Sequence, residues 1–307
     1  MKIFNPEPDL YLISLSQQMP GFENFITAWL YKGEKTILVD PGPASTIPDL
    51  FDALDELDVK TVDVVLLTHI HIDHAGGLGE FSAKFTDTPI VCHSKGIPHI
   101  ADPSRLWEGS LKILGKTAET YGPIQPVDPT LLIDASSFSD FDITPCPTPG
   151  HAPHHISYLC GSILFAGEVC GVRMALEKPV KWQGKDFFSY LRPATPPKFF
   201  LETSLNSIDY LSDFHHEIYC FGHFGSVRYG NDILAAHREQ LKQWADIIEN
   251  EMKKGVDENF SDRCIAKLLK KDPLLAGLDQ FSPDIRARER HFMNNSIKGF
   301  RGYLSAG

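Results

Sequence analysis

The sequence predicts an α/β (α+β) fold of two similar halves packed as a sandwich with helices outside. Three observations carry this. Short apolar runs bounded by glycine and proline follow one another with amphipathic stretches in the order strand-rich, helix, strand-rich, helix. Ligand-type side chains recur just after several of those runs, at the strand ends where open sheets of this class hold ligands. The densest such place is Thr68–Gly77, in which His69, His71, Asp73 and His74 fall within six consecutive residues directly after Val64–Leu67.

In order, Asp9–Ser16 and Phe25–Tyr31 read as strands with the turn Pro20-Gly21 between them, and Lys35–Val39 is stopped by Asp40-Pro41-Gly42-Pro43. Ser45 stands where a helix over Thr46–Leu57 needs a cap, and Ile47, Leu50, Phe51 and Leu54 recur there at helical spacing. Strand 63–67 leads into the histidine cluster, followed by a helix from near Gly77 and a short strand at Pro89–Cys92. Prolines punctuate 94–129, which reads as an insertion carrying short helices, one over Ser104–Thr120. Insertions of this size are often lids or binding loops. Strands resume at Leu131–Asp134, Asp142–Cys146, Ile156–Cys160 and Ser162–Ala166, and 171–197 reads as a second, irregular insertion. A helix over Phe199–Ser212, a strand at Ile218–Phe221 and a long helix capped by Asp232 complete residues 1–254. Two further helices, about Ser261–Lys271 and Ser282–Tyr303, make 255–307 a helical extension.

A hydrophobic content of 42% with 22% charged residues is ordinary for a soluble globular chain of 307 residues. The formal net charge of −11 argues against a nucleic-acid partner, which asks for a basic footprint. The start, Met1-Lys2-Ile3-Phe4-Asn5-Pro6, lacks an apolar leader core, and no run approaches the ~18 apolar residues of a span. A cytoplasmic protein without a membrane partner is expected. The six cysteines form no C-x-x-C pair and are expected as buried free thiols; Cys170 stands apart because it lies two residues beyond Glu168.

Along extended chain, His69-x-His71 sends both rings to one side, while Asp73 and His74 follow at a bend and face a second point. His151, Glu168 and His223 each follow an apolar strand and a glycine-containing turn, as that cluster does. Together they supply seven potential ligands.

This pattern resembles the metallo-β-lactamase superfamily over about residues 9–250, and within it glyoxalase-II-like and lactonase-like metallo-hydrolases. The likeness rests on Thr-His-Ile-His-Ile-Asp-His-Ala-Gly-Gly at 68–77, Thr148-Pro149-Gly150-His151, Phe165-Ala166-Gly167-Glu168 and Gly222-His223. The resemblance implies a four-layer αββα sandwich with extra C-terminal helices and a dinuclear metal site at one edge. It assigns His69, His71 and His151 to one ion, and Asp73, His74 and His223 to a second, with Glu168 bridging the two. Asp40 matches a position that hydrogen-bonds a ligand imidazole, and His155 a supporting position. One departure stands out: the bridging residue of the family is usually Asp, and here it is Glu168.

The implied chemistry is a metal-dependent hydrolase in which a metal-bound hydroxide attacks an ester, thioester or lactone of a small molecule, with Asp73 also handling the proton. Two divalent ions are expected, zinc foremost, although iron and manganese accept the same nitrogen and oxygen donors. A mononuclear-iron persulfide dioxygenase is the leading alternative enzyme, and a non-catalytic metal-binding protein the alternative outside catalysis. Against the latter, structural zinc usually closes its shell with four ligands, often cysteine, and none of the seven is a cysteine. His154 and Arg173 are the substrate-contact candidates, with Trp107, Trp182, Phe187, Phe188 and Tyr190 as an apolar wall. Arg286, Arg288, Arg290, Lys298 and Arg301 outnumber Asp284 and Glu289 at the C-terminus, a basic face open to solvent or to a homodimer.

Overall fold

The computed structural model describes residues 2–306. Strands β1 (Lys2–Glu7), β2 (Leu10–Ser14), β3 (Thr27–Lys32), β4 (Thr36–Val39), β5 (Val64–Leu66), β6 (Ile90–Cys92) and β7 (Leu132–Asp134) form one sheet in sequence order. It is antiparallel through β4 and parallel from there to β7. Strands β8 (Ile143–Pro147), β9 (Ile156–Cys160) and β10 (Ile163–Gly167) belong to a second sheet. A separate antiparallel hairpin, β11 (Val172–Trp182) and β12 (Lys185–Arg192), precedes β13 (Ile218–Phe221) and β14 (Ser226–Val227), which complete the second sheet in the order β14-β13-β10-β9-β8.

The central strands read as unbroken apolar runs because both of their faces are covered. Val64 and Leu66 turn inward against Tyr158, Phe165 and Cys220 of the second sheet, whereas Val65 and Leu67 turn outward. On that outer face they meet Leu50, Ala53 and Leu54 of α1 (Ile47–Glu56), beyond which α2 (Ile72–Ala75) and α3 (Leu78–Lys84) follow the histidine cluster. The first insertion supplies α4 (Ile97–Ala101), α5 (Ser104–Leu114) and α6 (Lys116–Tyr121) on the same side. Helices α7 (Leu201–Ser212), α8 (Gly230–Met252), α9 (Phe260–Lys271) and α10 (Pro283–Ala306) cover the outer face of the second sheet together with the hairpin. The result is the αββα layering. Polar threads cross the inner interface: the Tyr158 hydroxyl donates to Leu67 O (2.9 Å), and Trp29 Nε1 to Phe221 O (2.8 Å).

Several expectations change. β1 is an additional edge strand; its Asn5-Pro6 and weak alternation conceal it, and its pairing with β2 is irregular between Phe4 and Glu7. Residues 171–197 are not irregular, since 172–192 fold into the hairpin. Its turn places Gln183 (φ 46°) and Gly184 (φ 78°) in the left-handed region, as a two-residue hairpin turn requires. The helix expected over 104–120 is broken at Gly115, whose φ is 54°. Ser45 does not cap α1; its hydroxyl donates to Gln17 Oε1 (3.1 Å), and Asp232 lies in the first turn of α8 rather than before it. The six cysteines are buried and free, and burial pushes the Cys170 thiol up to about 12, which leaves it inert. Among the described residues no helix is long and apolar enough to cross a membrane.

The basic C-terminal segment is partly interior. Glu289 of α10 is buried and accepts from Arg192 Nε of β12 (2.6 Å) and from Arg288 (2.9 Å). Burial alone would raise its carboxyl pKa, but the Arg192 and Arg288 guanidinium groups outweigh that and hold it below the usual range. Because the folded pKa is depressed, this stabilisation is present above the unfolded glutamate pKa and is lost as pH falls. Glu289→Gln should therefore destabilise the protein by about 3–5 kcal/mol near neutral pH, leaving two buried guanidinium groups without their carboxylate. In urea unfolding the gap between variant and parent should narrow below pH ~4. A gap independent of pH would contradict this reading of the pair.

Candidate metal centre

β5 ends at Leu66, the chain bends at Thr68 and is extended again at His71 (ψ 147°), after which α2 carries Asp73 and His74. The His69 and His71 rings meet edge to face, 4.6 Å between centroids. Ile156 N donates to Thr68 O (2.8 Å), joining the start of β9 to this lip. His151 comes from the 148–155 loop between β8 and β9, Glu168 from the end of β10 and His223 from the end of β13.

These side chains converge on the Glu168 carboxylate. Its Oε2 lies 2.9 Å from His151 Nε2, 3.3 Å from His69 Nε2 and 3.6 Å from His74 Nε2, while Oε1 lies 3.1 Å from His223 Nε2. His71 Nδ1 is 2.9 Å from His151 Nε2, and Asp73 Oδ2 is 3.8 Å from His74 Nε2. Two ligand groups result, His69/His71/His151/Glu168 and Asp73/His74/His223. Asp40 forms a third group with His69 and His74, but its oxygens already accept from Thr68 N (2.8 Å), Thr68 Oγ1 (2.6 Å) and His74 Nδ1 (3.0 Å).

The outer nitrogens of the rings fix their tautomers. His74 Nδ1 donates to Asp40, His151 Nδ1 to Ala194 O (2.8 Å) and His223 Nδ1 to Phe25 O (3.3 Å). The Thr68 hydroxyl donates to Asp40, so it accepts from His69 Nδ1 (3.0 Å). Four Nε2 lone pairs are thereby turned toward a carboxylate that also only accepts. Acceptors so arranged repel one another unless cations lie among them, and the Nε2 atoms of His69 and His74 are buried without any hydrogen bond. Ligand atoms ~2.1 Å from a tetrahedral ion stand roughly 3.4 Å apart. The pairs above, 2.9–3.8 Å apart, bracket that spacing, so the donor set fits divalent ions.

Without such ions, the charges settle on the residues themselves. Burial, joined by neighbouring imidazoles, holds His69 and His71 well below the usual histidine range. At His74 burial acts the same way but is outweighed by the Asp73, Asp40 and Glu168 carboxylates, which raise it. His155 is pushed down to about 3, mainly by burial, and stays neutral. Its Nε2 accepts the Glu168 backbone N–H (3.0 Å), and its Nδ1 donates to Thr148 Oγ1 (2.8 Å). Gly167 makes this contact possible: its φ is 59°, and a Cβ there would stand 2.3 Å from His155 Nε2. The β10–β13 register also shifts between Phe165 and Gly167, so Glu168 leaves the strand at an irregularity.

The centre forms the floor of a cavity of about 660 Å³. His154 lines it, its ring centroid 6.0 Å from that of His71; its Nδ1 is buried without a partner, and burial lowers its pKa to about 4. Arg173 does not line it. Strand alternation turns Val172 to the cavity and Arg173 away, where its Nε donates to Ser189 Oγ (2.9 Å). The expected aromatic wall also differs, because Trp182, Phe187 and Tyr190 are buried in the outer core of the second sheet. Phe25, Phe292, Leu106, Ile113 and Leu114 take that place. Thr68, Thr148 and Ala194, given no role by the sequence, hydrogen-bond His69, His155 and His151; the place of Thr68 and Thr148 at the head of their motifs was the available signal.

Comparison with known proteins identifies the family. Residues 21–223 match the family model of the metallo-beta-lactamase superfamily. The chain belongs to that superfamily. It is 28% identical over 229 residues to a metallo-beta-lactamase fold-containing protein of Sulfurisphaera tokodaii, covering 72% of this chain and 80% of that one. It is 27% identical over 146 residues to a hydroxyacylglutathione hydrolase of Pectobacterium atrosepticum, covering 48% of this chain and 47% of the relative. A crystal structure of a metallo-beta-lactamase family protein from Thermus thermophilus superposes with a TM-score of 0.61 at 20% identity, over 90% of this chain and 94% of that chain, a likeness of fold.

Two substitutions test the support around the centre. Asp40→Asn should weaken metal binding about 10–100-fold in chelator competition, as loss of an outer carboxylate does; unchanged affinity would remove Asp40 from the account. Gly167→Ala should lower the stability of metal-free protein by more than about 1–2 kcal/mol, the left-handed backbone penalty alone. A neutral effect in urea unfolding would contradict the close packing of His155.

Proposed function

We propose that this protein is a metal-dependent hydrolase acting on an ester, thioester or lactone bond of a small molecule at a dinuclear centre. The observation that carries the reading is the Glu168 carboxylate, whose two oxygens lie within 3.6 Å of four imidazole nitrogens on the floor of a cavity. His69, His71 and His151 would hold one divalent ion, Asp73, His74 and His223 the other, and Glu168 would reach both. Such ions supply a water acidified toward neutral pH and polarisation of a carbonyl oxygen. Zinc suits the donors, with iron and manganese compatible.

The protein's own groups do the rest. Asp73 is partly exposed on the cavity floor and holds the proton that must pass to the leaving alkoxide or thiolate. His154, neutral and beside His71, orients the substrate carbonyl. Asp40, Thr68 and the Ala194 and Phe25 carbonyls keep the rings from turning, which fixes the reacting geometry. The apolar walls limit bulk water.

Hydrolysis of a panel of aryl esters, thioesters and lactones, with and without chelator, tests the reading. Activity should fall about a thousandfold on metal removal and in His71→Ala or Asp73→Ala, the several kcal/mol that metal assistance provides. Full activity of metal-free protein would refute it. Oxygen uptake with a persulfide and no hydrolysis would favour the dioxygenase instead.

A further inference from the structure

The cavity above the centre is built asymmetrically, and α5 shows how. Leu106, Ser110, Leu114 and, past the break, Thr117 line it, as do Arg105, Gly109 and Ile113. These are two rows at i, i+4, i+8, so a single stripe of α5 faces the cleft along its length. The stripe changes character from end to end. Arg105 stands at the first turn, and Lys95 and His99 of the preceding segment line the same cavity. Neither Lys95 nor Arg105 has a salt-bridge partner among the described residues, in a protein whose net charge is −11. The nearby Asp102 carboxylate is engaged by Ser104, through its N–H (3.2 Å) and its hydroxyl (2.6 Å). Eight residues on, about 12 Å along the helix axis, Ile113 and Leu114 form an apolar end.

That apolar end is incompletely covered. No residue of α5 is buried, and Ile113 is 70% exposed although it is one of the largest aliphatic side chains on the helix. Gly109 sits at the middle of the stripe. Glycine inside a helix is destabilising by roughly 0.5–1 kcal/mol relative to alanine, and here packing does not demand it, because a Cβ at Gly109 would meet nothing within 4 Å. Its effect is to leave the wall of the cleft open midway between the cationic and apolar ends.

We infer that the cleft selects an amphiphilic substrate: an apolar acyl chain lying along α5 across Gly109 toward Ile113, joined through the scissile carbonyl to a leaving group whose anionic part is held by Lys95 and Arg105. This rests on the proposed hydrolytic reading only for the position of the carbonyl. Phe25 and Phe292 add apolar wall to the same cavity, and His71, Asp73, His151, Glu168 and His223 of the centre line it too. A phosphate-bearing thiol carrier and a carboxylate-bearing one share the required chemistry.

Titration calorimetry of the metal-loaded protein with thioethers, which have no bond to hydrolyse, separates this inference from the catalytic one. S-decyl-coenzyme A should bind at least about 100-fold more tightly than S-methyl-coenzyme A, a fraction of what burying the added methylenes can yield. Gly109→Leu should fill the cleft and weaken both S-decyl-coenzyme A and neutral S-decyl-N-acetylcysteamine at least tenfold, leaving the methyl ligand unchanged. The Lys95→Gln/Arg105→Gln pair should weaken S-decyl-coenzyme A about tenfold and leave the neutral decyl ligand within twofold. Equal binding of decyl and methyl ligands by the parent, or equal loss of the charged and neutral decyl ligands in the Lys95→Gln/Arg105→Gln pair, would overturn the inference, as would failure of S-decyl-coenzyme A to bind. Graded binding without hydrolysis of the corresponding thioesters would instead count against the catalytic reading alone.

Discussion

Four imidazole Nε2 atoms facing one buried carboxylate is the constraint around which this molecule is arranged. His69 and His74 come from the lip of the first sheet, Glu168 and His223 from strand ends of the second, and His151 from the loop before β9. Hydrogen bonds on the outer ring nitrogens turn every one of these lone pairs inward. The centre therefore cannot be satisfied by hydrogen bonding among its own neutral members, and the two sheets must hold it together through covering layers and cross-sheet bonds. The His155–Glu168 contact shows how closely this is done: a side chain at position 167 would collide with the imidazole that accepts the Glu168 N–H. Glu168, a longer side chain than the family's usual aspartate, leaves β10 at a register irregularity.

The C-terminal helices contribute to this constraint at a distance. Arg288 of α10 lies 4.1 Å above the Phe25 ring, and Phe25 in turn stacks on His223 with centroids 4.3 Å apart. Phe292, also on α10, stacks against Phe25 at 5.7 Å. Since Glu289 fixes Arg288 and Arg192 together, the extension supports one wall of the cavity and the ring of one ligand, rather than merely covering the second sheet. Its excess of basic residues is thus explained in part by an interior ion cluster.

How much of this was legible in the sequence follows from which forces are local. The buried strands and most helices were, because burial on one or two faces imprints a period on consecutive residues. So was the clustering of His69, His71, Asp73, His74, His151, Glu168 and His223, since strand ends with His, Asp and Glu are written in contiguous motifs. β1 escaped because an edge strand carrying Pro6 has no covered face to impose a pattern. The 172–192 hairpin escaped because Pro179 and its irregular pairing mask alternation, although Gln183-Gly184 was a readable turn. Arg173 was misplaced by sequence proximity to Glu168: neighbouring strand residues point to opposite sides, which only the strand assignment reveals. Side chains that act across the chain, such as Phe25 on His223 or Ala194 O on His151, leave no local signature at all.

The central claim, that Glu168 joins two ligand groups into one dinuclear centre, is tested most directly by counting metal per chain in the parent and in Glu168→Ala. Elemental analysis of protein grown and purified with added zinc should give two ions per chain for the parent and about one for the variant. One ion in the parent, unchanged by the substitution, would contradict the account.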